Sequence, residues 1–169
     1  MHGVLILISA ARAEVLDRVV AVVEGQPVLA SEVAIGVDLA ELDPSSRLPP
    51  PKGDVTLWAI DTVVVRALAE SVKLYTPSAR EVQERIDGLR STFADRESWT
   101  RFLARHGLDE ARLEPMMRRQ LVVERFLLRN IQADPNDREA WNAEAEALLA
   151  VLRERVAPRI VPPSSTEPP

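Results

Sequence analysis

Two short strands, a tight turn and a helix start are predicted within one segment, which reads Leu16-Asp17-Arg18-Val19-Val20-Ala21-Val22-Val23-Glu24-Gly25-Gln26-Pro27-Val28-Leu29-Ala30-Ser31-Glu32-Val33. The β-branched run from Val19 to Val23 favours a pleated, half-buried strand. Glu24-Gly25 predicts the turn, because glycine tolerates a positive φ. Ser31 is predicted to cap a helix that opens at Glu32. The segment therefore predicts a β-hairpin that leads directly into a helix.

The predicted turn contains one poorly suited residue. A two-residue type I′ turn needs a positive φ at both central positions, and glutamate is unfavourable there. Two alternatives follow for Glu24-Gly25. Either Glu24 adopts a positive φ in a type I′ turn, or the turn is bulged or longer.

Six helices are predicted after the hairpin from apolar periodicity and capping residues. They cover about 31–42, 54–74, a segment that ends at 93, a short segment containing 99–106, a segment that ends at 131, and 135–156. The third helix has two possible starts: Pro77 with Thr76 as its cap, or a start after Ser78 in a capping box with Glu81. Pro115 leaves two starts open for the fifth helix: Asp109, with a kink at the proline, or Glu114. The proline-rich linker 48–53 is predicted to run over the surface in extended form.

The second helix is predicted to be central, because apolar residues cover most of its circumference. Such a helix must be covered either by its own domain or by a second subunit, so a homodimer through this helix is one expectation. Near the C-terminus, the segment 159–161 is predicted to be an edge strand, since Pro158 and Pro162 remove ladder donors. We expect this strand to pair with the N-terminal hairpin, because a two-stranded hairpin alone is marginally stable.

The hairpin and helix start resemble the N-terminal signature of SurA-type periplasmic chaperones and their parvulin-linked relatives, with Glu24 where that family usually has asparagine. Two later motifs, Trp99-x-x-Phe102-Leu103 before Gly107-Leu108 and Leu113-Glu114-Pro115-Met116-Met117, follow in the order of that family's N-terminal domain. The resemblance spans about 16–131. It implies a mainly α, multi-helix chaperone-core domain, in which a C-terminal strand joins the small β-hairpin. The parvulin isomerase domain that normally follows residue 131 in the family is missing there.

The chain is predicted to have three parts: a signal peptide at 1–13, one helical domain at 14–163 and a disordered tail at 164–169. An apolar run from Gly3 to Ile8 precedes Ala11-x-Ala13, which has the small-residue spacing of a signal-peptidase site. The alternative is that this run begins an ordinary buried strand or helix. We expect export to the periplasm, with no membrane span left after signal removal, because the run is shorter than the roughly 20 apolar residues that a span needs.

Composition excludes several kinds of site. The 169 residues include no Cys, so disulfides, thiolate nucleophiles and zinc–thiolate sites are excluded. The net charge of −5 argues against a nucleic-acid partner. His106 lies on the predicted apolar face of a helix, where a packed or capping imidazole is expected. No cofactor, metal site or catalytic residue is predicted, and we expect that the protein is not an enzyme.

Function is therefore expected to come from binding. Trp58, Met116, Met117 and Phe126 are the candidates for an adaptable peptide-binding groove, since Met thioethers repack around varied partners. The alternative is that they fill the core. The resemblance implies a periplasmic chaperone that binds unfolded or outer-membrane-type polypeptides through an apolar cradle, without catalysis. Two other functions stay open: a prolyl isomerase-family protein with residual or no activity, and a non-chaperone dimerisation module.

Overall fold

A computed structural model describes residues 17–51 and 53–162. These residues form three strands and six α-helices: β1 Val19–Val23, β2 Gln26–Leu29, α1 Ala30–Leu42, α2 Val55–Ala69, α3 Ala79–Arg90, α4 Arg96–Arg105, α5 Glu110–Asn130, α6 Arg138–Val156 and β3 Arg159–Ile160. The prediction of a mainly α fold with a small β-hairpin is confirmed. The predicted signal peptide and the predicted tail lie outside the described residues.

The hairpin closes through a two-residue turn. Val23 pairs with Gln26, and the two residues between them both have positive φ, +48° at Glu24 and +82° at Gly25. These signs are those of a type I′ turn, so the first of the two alternatives is correct. A β-bulge between Val19 and Ala21 shifts the register of β1.

The C-terminal strand pairs with β1, and the sheet order is β2-β1-β3 with both pairs antiparallel. Ile160 lies opposite Ala21, and the Val161 N–H donates to the Val20 carbonyl at 2.9 Å. This confirms the predicted return of the C-terminal segment to the hairpin. Strand β1 is therefore the centre of the sheet.

Helix α2 is the central helix of the described fold. It contacts the sheet on one side and α1, α5 and α6 on others, so its own domain covers these faces. One core cluster surrounds α2 and includes Ile60 and Trp141, both fully buried. A second cluster joins α3 and α4 to the first half of α5, around Leu89 and Leu113. Helices α1 and α5 contribute residues to both clusters and so lie between them.

The linker before α2 differs from the prediction. Leu48 and Pro49 are buried, and two indoles bind carbonyls of Pro49 and of Arg47, which directly precedes the linker. Trp58 Nε1 donates to the Pro49 carbonyl at 2.9 Å, and Trp141 Nε1 donates to the Arg47 carbonyl at 2.9 Å. The surface prediction was wrong for Leu48 and Pro49, because Leu48 belongs to the core cluster around α2 and the Pro49 carbonyl accepts from the partly buried Trp58 indole.

Four helix starts were predicted wrongly or left open. Helix α3 begins at Ala79 with Ser78 as its cap, so the second of its two alternatives is correct. Helix α1 begins at Ala30, and Ser31 donates from its amide to Asp17 Oδ1 at 3.2 Å instead of capping the helix. Helix α5 begins at Glu110 with Asp109 as its cap, so the earlier of its two starts is correct and Pro115 lies inside the helix. Helix α6 begins at Arg138 rather than at the predicted 135, and its cap Asp137 accepts from the Ala140 amide.

Two helix ends were also predicted wrongly, and the first is that of α3, which ends at Arg90 rather than at 93. Helix α2 ends at Ala69, whereas the prediction carried it to Leu74, and a short 3₁₀ turn at Lys73–Tyr75 follows. The side chains of Val72 and Leu74 are exposed, so no packing supports a further helical turn there. None of the helices in the described residues is long and apolar enough to cross a membrane.

Candidate functional site

A cleft of about 110 Å³ lies between α1, α2 and α5. Most of its wall is apolar and is formed by Val28, Leu39, Leu48, Trp58, Val63 and Met116. Gly36 of α1 faces the Trp58 ring across the cleft, and a Cβ atom at that glycine would lie 3.2 Å from Trp58 Cζ3. The missing side chain therefore lets the indole lie against the α1 backbone.

The structure brings together two of the four residues predicted for the groove. Trp58 and Met116 line the cleft. Met117 is fully buried in the second core cluster, because adjacent residues on a helix point about 100° apart. Phe126 lies elsewhere on α5 and packs against Tyr75, with ring centroids 5.5 Å apart.

The Trp58 indole and the Met116 side chain, which both line the cleft, differ in rigidity. The indole of Trp58 is fixed by its hydrogen bond to the Pro49 carbonyl. Met116 is only partly buried and has three rotatable side-chain bonds, so it adapts to the shape of what it contacts. The cleft thus combines one fixed aromatic wall with one adaptable thioether.

Two arginines, Arg66 and Arg119, line the same cleft, together with Glu32. Arg66 Nη2 donates to the neutral Gln26 Oε1 at 2.9 Å, while its Nε lies 4.0 Å from the exposed carboxylate of Glu70. Burial lowers the pKa of Arg66, and the positive charge of Arg119 lowers it further, against the opposing charges of Glu70 and Glu32. Among the described residues, Arg119 has no hydrogen-bond or ion-pair partner.

Sequence reasoning missed both arginines, although a helical signal for each exists. Arg119 lies three residues after Met116, and Arg66 lies eight residues after Trp58, so each shares a helix face with a predicted groove residue. Periodicity does not predict that α2 packs against α5, and this packing brings the two faces together.

A buried ionic cluster lies behind the cleft. Arg85 of α3 binds two carboxylates, with Nη1 2.6 Å from Asp43 Oδ2 and Nη2 2.5 Å from Glu124 Oε2. The two carboxylate side chains are 1% and 3% exposed. Burial lowers the pKa of Arg85, but the hydrogen bonds and charges of Glu124 and Asp43 outweigh it, and the pKa is raised overall. Gln120, a cleft residue, donates to Glu124 Oε1 at 3.4 Å and connects the cleft to this cluster.

The cluster joins the end of α1 to α3 and α5. Ser46 Oγ donates to Glu124 Oε1 at 3.3 Å, and the Ser45 amide donates to Asp43 Oδ1 at 2.9 Å. Both carboxylates are thus hydrogen-bonded to a permanently charged guanidinium and to hydroxyl or amide donors. This arrangement positions the three helices relative to one another.

His106 has the packed and capping position that the sequence predicts. It is the C-terminal cap of α4, its Nε2 lies 2.9 Å from Asp38 Oδ2 of α1, and its ring meets the edge of Phe102 with centroids 5.1 Å apart. Within residues 17–51 and 53–162, no three His, Asp or Glu side chains are grouped to hold a metal ion.

The chain was compared with known proteins in three ways. No protein-family model, no curated protein and no solved structure matches it.

Proposed function

We propose that this chain is a chaperone-like module that binds unfolded polypeptides through the cleft between α1, α2 and α5, without catalysis. The observation that carries the proposal is the pairing of Trp58 and Met116 in one largely apolar cleft. A fixed aromatic wall beside an adaptable methionine accepts apolar side chains of different shapes. The sequence resemblance of residues 16–131 supports unfolded, outer-membrane-type clients as the class.

The size of the cleft limits how a client binds. A volume of about 110 Å³ is on the scale of one apolar side chain rather than a length of peptide. Each contact is therefore small, and small interfaces are typical of weak, transient association. Weak binding suits a protein that holds and releases unfolded chains.

An aggregation assay tests the proposal. The full chain is added to an unfolded, aromatic-rich β-barrel protein, and light scattering is followed during dilution from denaturant. Met116→Asp puts a charge into the cleft, and Leu128→Asp makes the same change at an exposed position of α5 outside it. We expect the wild-type chain and L128D to slow aggregation and M116D to lose the effect, with all three helical by circular dichroism. Protection by M116D equal to that by the wild-type chain would overturn the proposal.

The same proposal expects no acceleration of prolyl isomerisation. Uncatalysed exchange of a Xaa-Pro bond takes tens of seconds or more, so proline-limited refolding of a small test protein is easily followed. His106 is engaged by Asp38 and Phe102. Acceleration of refolding that persists in His106→Ala would favour an isomerase instead.

We further propose that the protein is exported and begins at Glu14 after cleavage. The sequence Ala11-x-Ala13 after the apolar run supports this. Intact-mass measurement of the native protein from periplasmic and cytoplasmic fractions tests it. A species that retains residues 3–13 in the soluble cytoplasmic fraction would contradict export.

A further inference from the structure

We infer that the cleft recognises the free carboxylate at the C-terminus of a polypeptide whose last residue is apolar. The inference rests on the proposed function, because it names the part of the client that the same cleft takes. It is carried by the charges at the cleft, where Arg66 and Arg119 lie next to an apolar wall.

Arg119 is unusual among the arginines of the described chain. The other partly buried arginines all donate to a carboxylate, a side-chain amide or a backbone carbonyl; these are Arg47, Arg66, Arg85, Arg90, Arg118, Arg125 and Arg153. Arg119 alone in this group has no hydrogen bond or ion pair to a described residue. A partly buried guanidinium without a partner among the described residues keeps its donors free for a ligand, and an anion in the cleft would pair with it.

Arg66 adds to the positive charge at the cleft. Its close partner is the neutral amide of Gln26, and Glu70 lies at the limit of ion-pair distance. Glu32 is the acidic side chain of the lining, and its Oε2 accepts from the Leu29 amide at 3.3 Å. Two guanidinium groups and one carboxylate thus leave an excess of positive charge in a chain whose net charge is −5.

The short distance between the Arg119 guanidinium and the apolar Met116 side chain favours the C-terminal residue of a polypeptide as the ligand. Arg119 and Met116 are three residues apart on one helix face, so a ligand must present a carboxylate and an apolar group about one side chain apart. In a C-terminal residue the carboxylate and the side chain branch from the same Cα. An internal Asp or Glu carries its carboxylate on the side chain and would bring polar backbone into the apolar part of the cleft.

Peptide pairs that differ only at the terminus test this inference. Two fluorescein-labelled hexapeptides ending in Phe, one with a free acid and one with a carboxamide, are titrated with the full wild-type chain and followed by anisotropy. We expect the free acid to bind about tenfold more tightly, as loss of one charge-assisted hydrogen bond implies, and the preference to shrink at high salt.

Two matched variants assign the preference to the cleft. Arg119→Met should bring the acid-to-amide ratio close to one, whereas Arg129→Met, the same change at an exposed position of α5, should leave it unchanged. A third peptide, with an internal Glu and a carboxamide end, should bind no better than the Phe carboxamide. Equal binding of acid and amide, a preference that persists in R119M, or tight binding of the internal-Glu peptide would each overturn the inference.

These outcomes separate the inference from the proposed function. If M116D loses protection against aggregation while acid and amide peptides bind the wild-type chain equally, the chaperone proposal stands and terminal recognition is wrong. If the acid preference is found but the chain does not slow aggregation, the cleft is a terminus-binding site and the chaperone proposal is wrong. Dodecanoate that binds more tightly than the Phe acid peptide would overturn the inference in favour of a fatty-acid site.

Discussion

Asp61 in the middle of α2 accepts two hydrogen bonds from Arg153 of α6, with Nε 2.6 Å from Oδ1 and Nη2 2.7 Å from Oδ2. The Asp61 side chain is 9% exposed. Burial raises the pKa of Asp61, and the hydrogen bond and charge of Arg153 oppose that increase. The pair joins the central helix to the C-terminal helix, and it stabilises the fold only while both partners are present.

Removal of Arg153 should therefore destabilise the protein strongly. Arg153→Met leaves a charged, largely buried Asp61 without its partner, and we expect the free energy of unfolding at neutral pH to fall by about 3 kcal/mol. Urea unfolding followed by circular dichroism measures this. Arg155→Met, an exposed change on the same helix, is the control and should have little effect.

The loss of stability caused by Arg153→Met should be smaller at low pH than at neutral pH. The folded-state pKa of Asp61 is raised above its unfolded value. The folded state thus binds the proton more tightly, and stability from this group is lost as the pH rises through the folded pKa. Removing the cation raises the pKa of Asp61 further. The difference in free energy of unfolding between R153M and the wild-type chain should therefore decrease as the pH falls. A gap that stays constant between pH 7 and pH 4 would contradict this account.

Glu81 should have the opposite pH dependence. It accepts from the Ser78 hydroxyl at 2.7 Å and from the Ser78 amide at 2.8 Å, and it pairs with Arg125. These contacts, with the Ser78 side chain first, lower its pKa from 4.5 to about 2. The stability that this carboxylate provides is present above pH 4.5 and is lost as the pH falls towards 2.

The measurement is the melting temperature as a function of pH. Glu81→Gln should melt lower than the wild-type chain at pH 6, and the difference should decrease as the pH is lowered below 4.5. Glu84→Gln removes an exposed carboxylate from the same helix and should change the profile little. Parallel profiles for E81Q and the wild-type chain would show that the Ser78 and Arg125 contacts do not hold the pKa down.

The turn residue Glu24 offers a stabilising change. Its φ of +48° is a left-handed conformation, which costs most residues roughly 1–2 kcal/mol and costs asparagine less. Glu24→Asn should therefore raise the free energy of unfolding by about 0.5–1 kcal/mol. Glu24→Gln removes the charge without relieving the backbone and should leave stability unchanged. Stabilisation by E24Q equal to that by E24N would assign the gain to charge rather than to φ.

Local signals predicted most of the helices correctly, because the information lies within a few residues. Ser78 and Glu81 form the capping box that was one of two alternatives for α3, Asp54 caps α2, and Gly107 follows α4 with a φ of +64°. Each of these depends on side chains three or four positions away at most. The hairpin and its strand pairing followed from β-branched residues and from the need of a two-stranded ribbon for a third strand.

The misses at the linker and at the cleft depend on packing between elements. The Pro49 carbonyl accepts from Trp58, and the Arg47 carbonyl accepts from Trp141, 94 residues away. The meeting of Arg66 and Arg119 depends on how α2 packs against α5. Periodicity identifies the face of each helix but not which faces meet. Trp58 and Met116 were therefore predicted as candidates, whereas the charges beside them were not.

Deletion of the C-terminal strand is the test of how far the sheet depends on β3. Strand β1 pairs with β2 on one edge and with β3 on the other. Without β3, the backbone hydrogen-bonding groups of Val20 and Val22 would face solvent beside apolar side chains. A chain that ends at Val156 should melt several degrees lower and should aggregate more readily, because it exposes a β-branched strand edge.

A chain that ends at Pro163 keeps β3 and is the control. We expect it to match the full-length chain in melting temperature and solubility. If the chain that ends at Val156 also matches the full-length chain, then the pairing of Ile160 with Ala21 contributes nothing to stability, and the two-stranded hairpin is held by its packing on α2 alone.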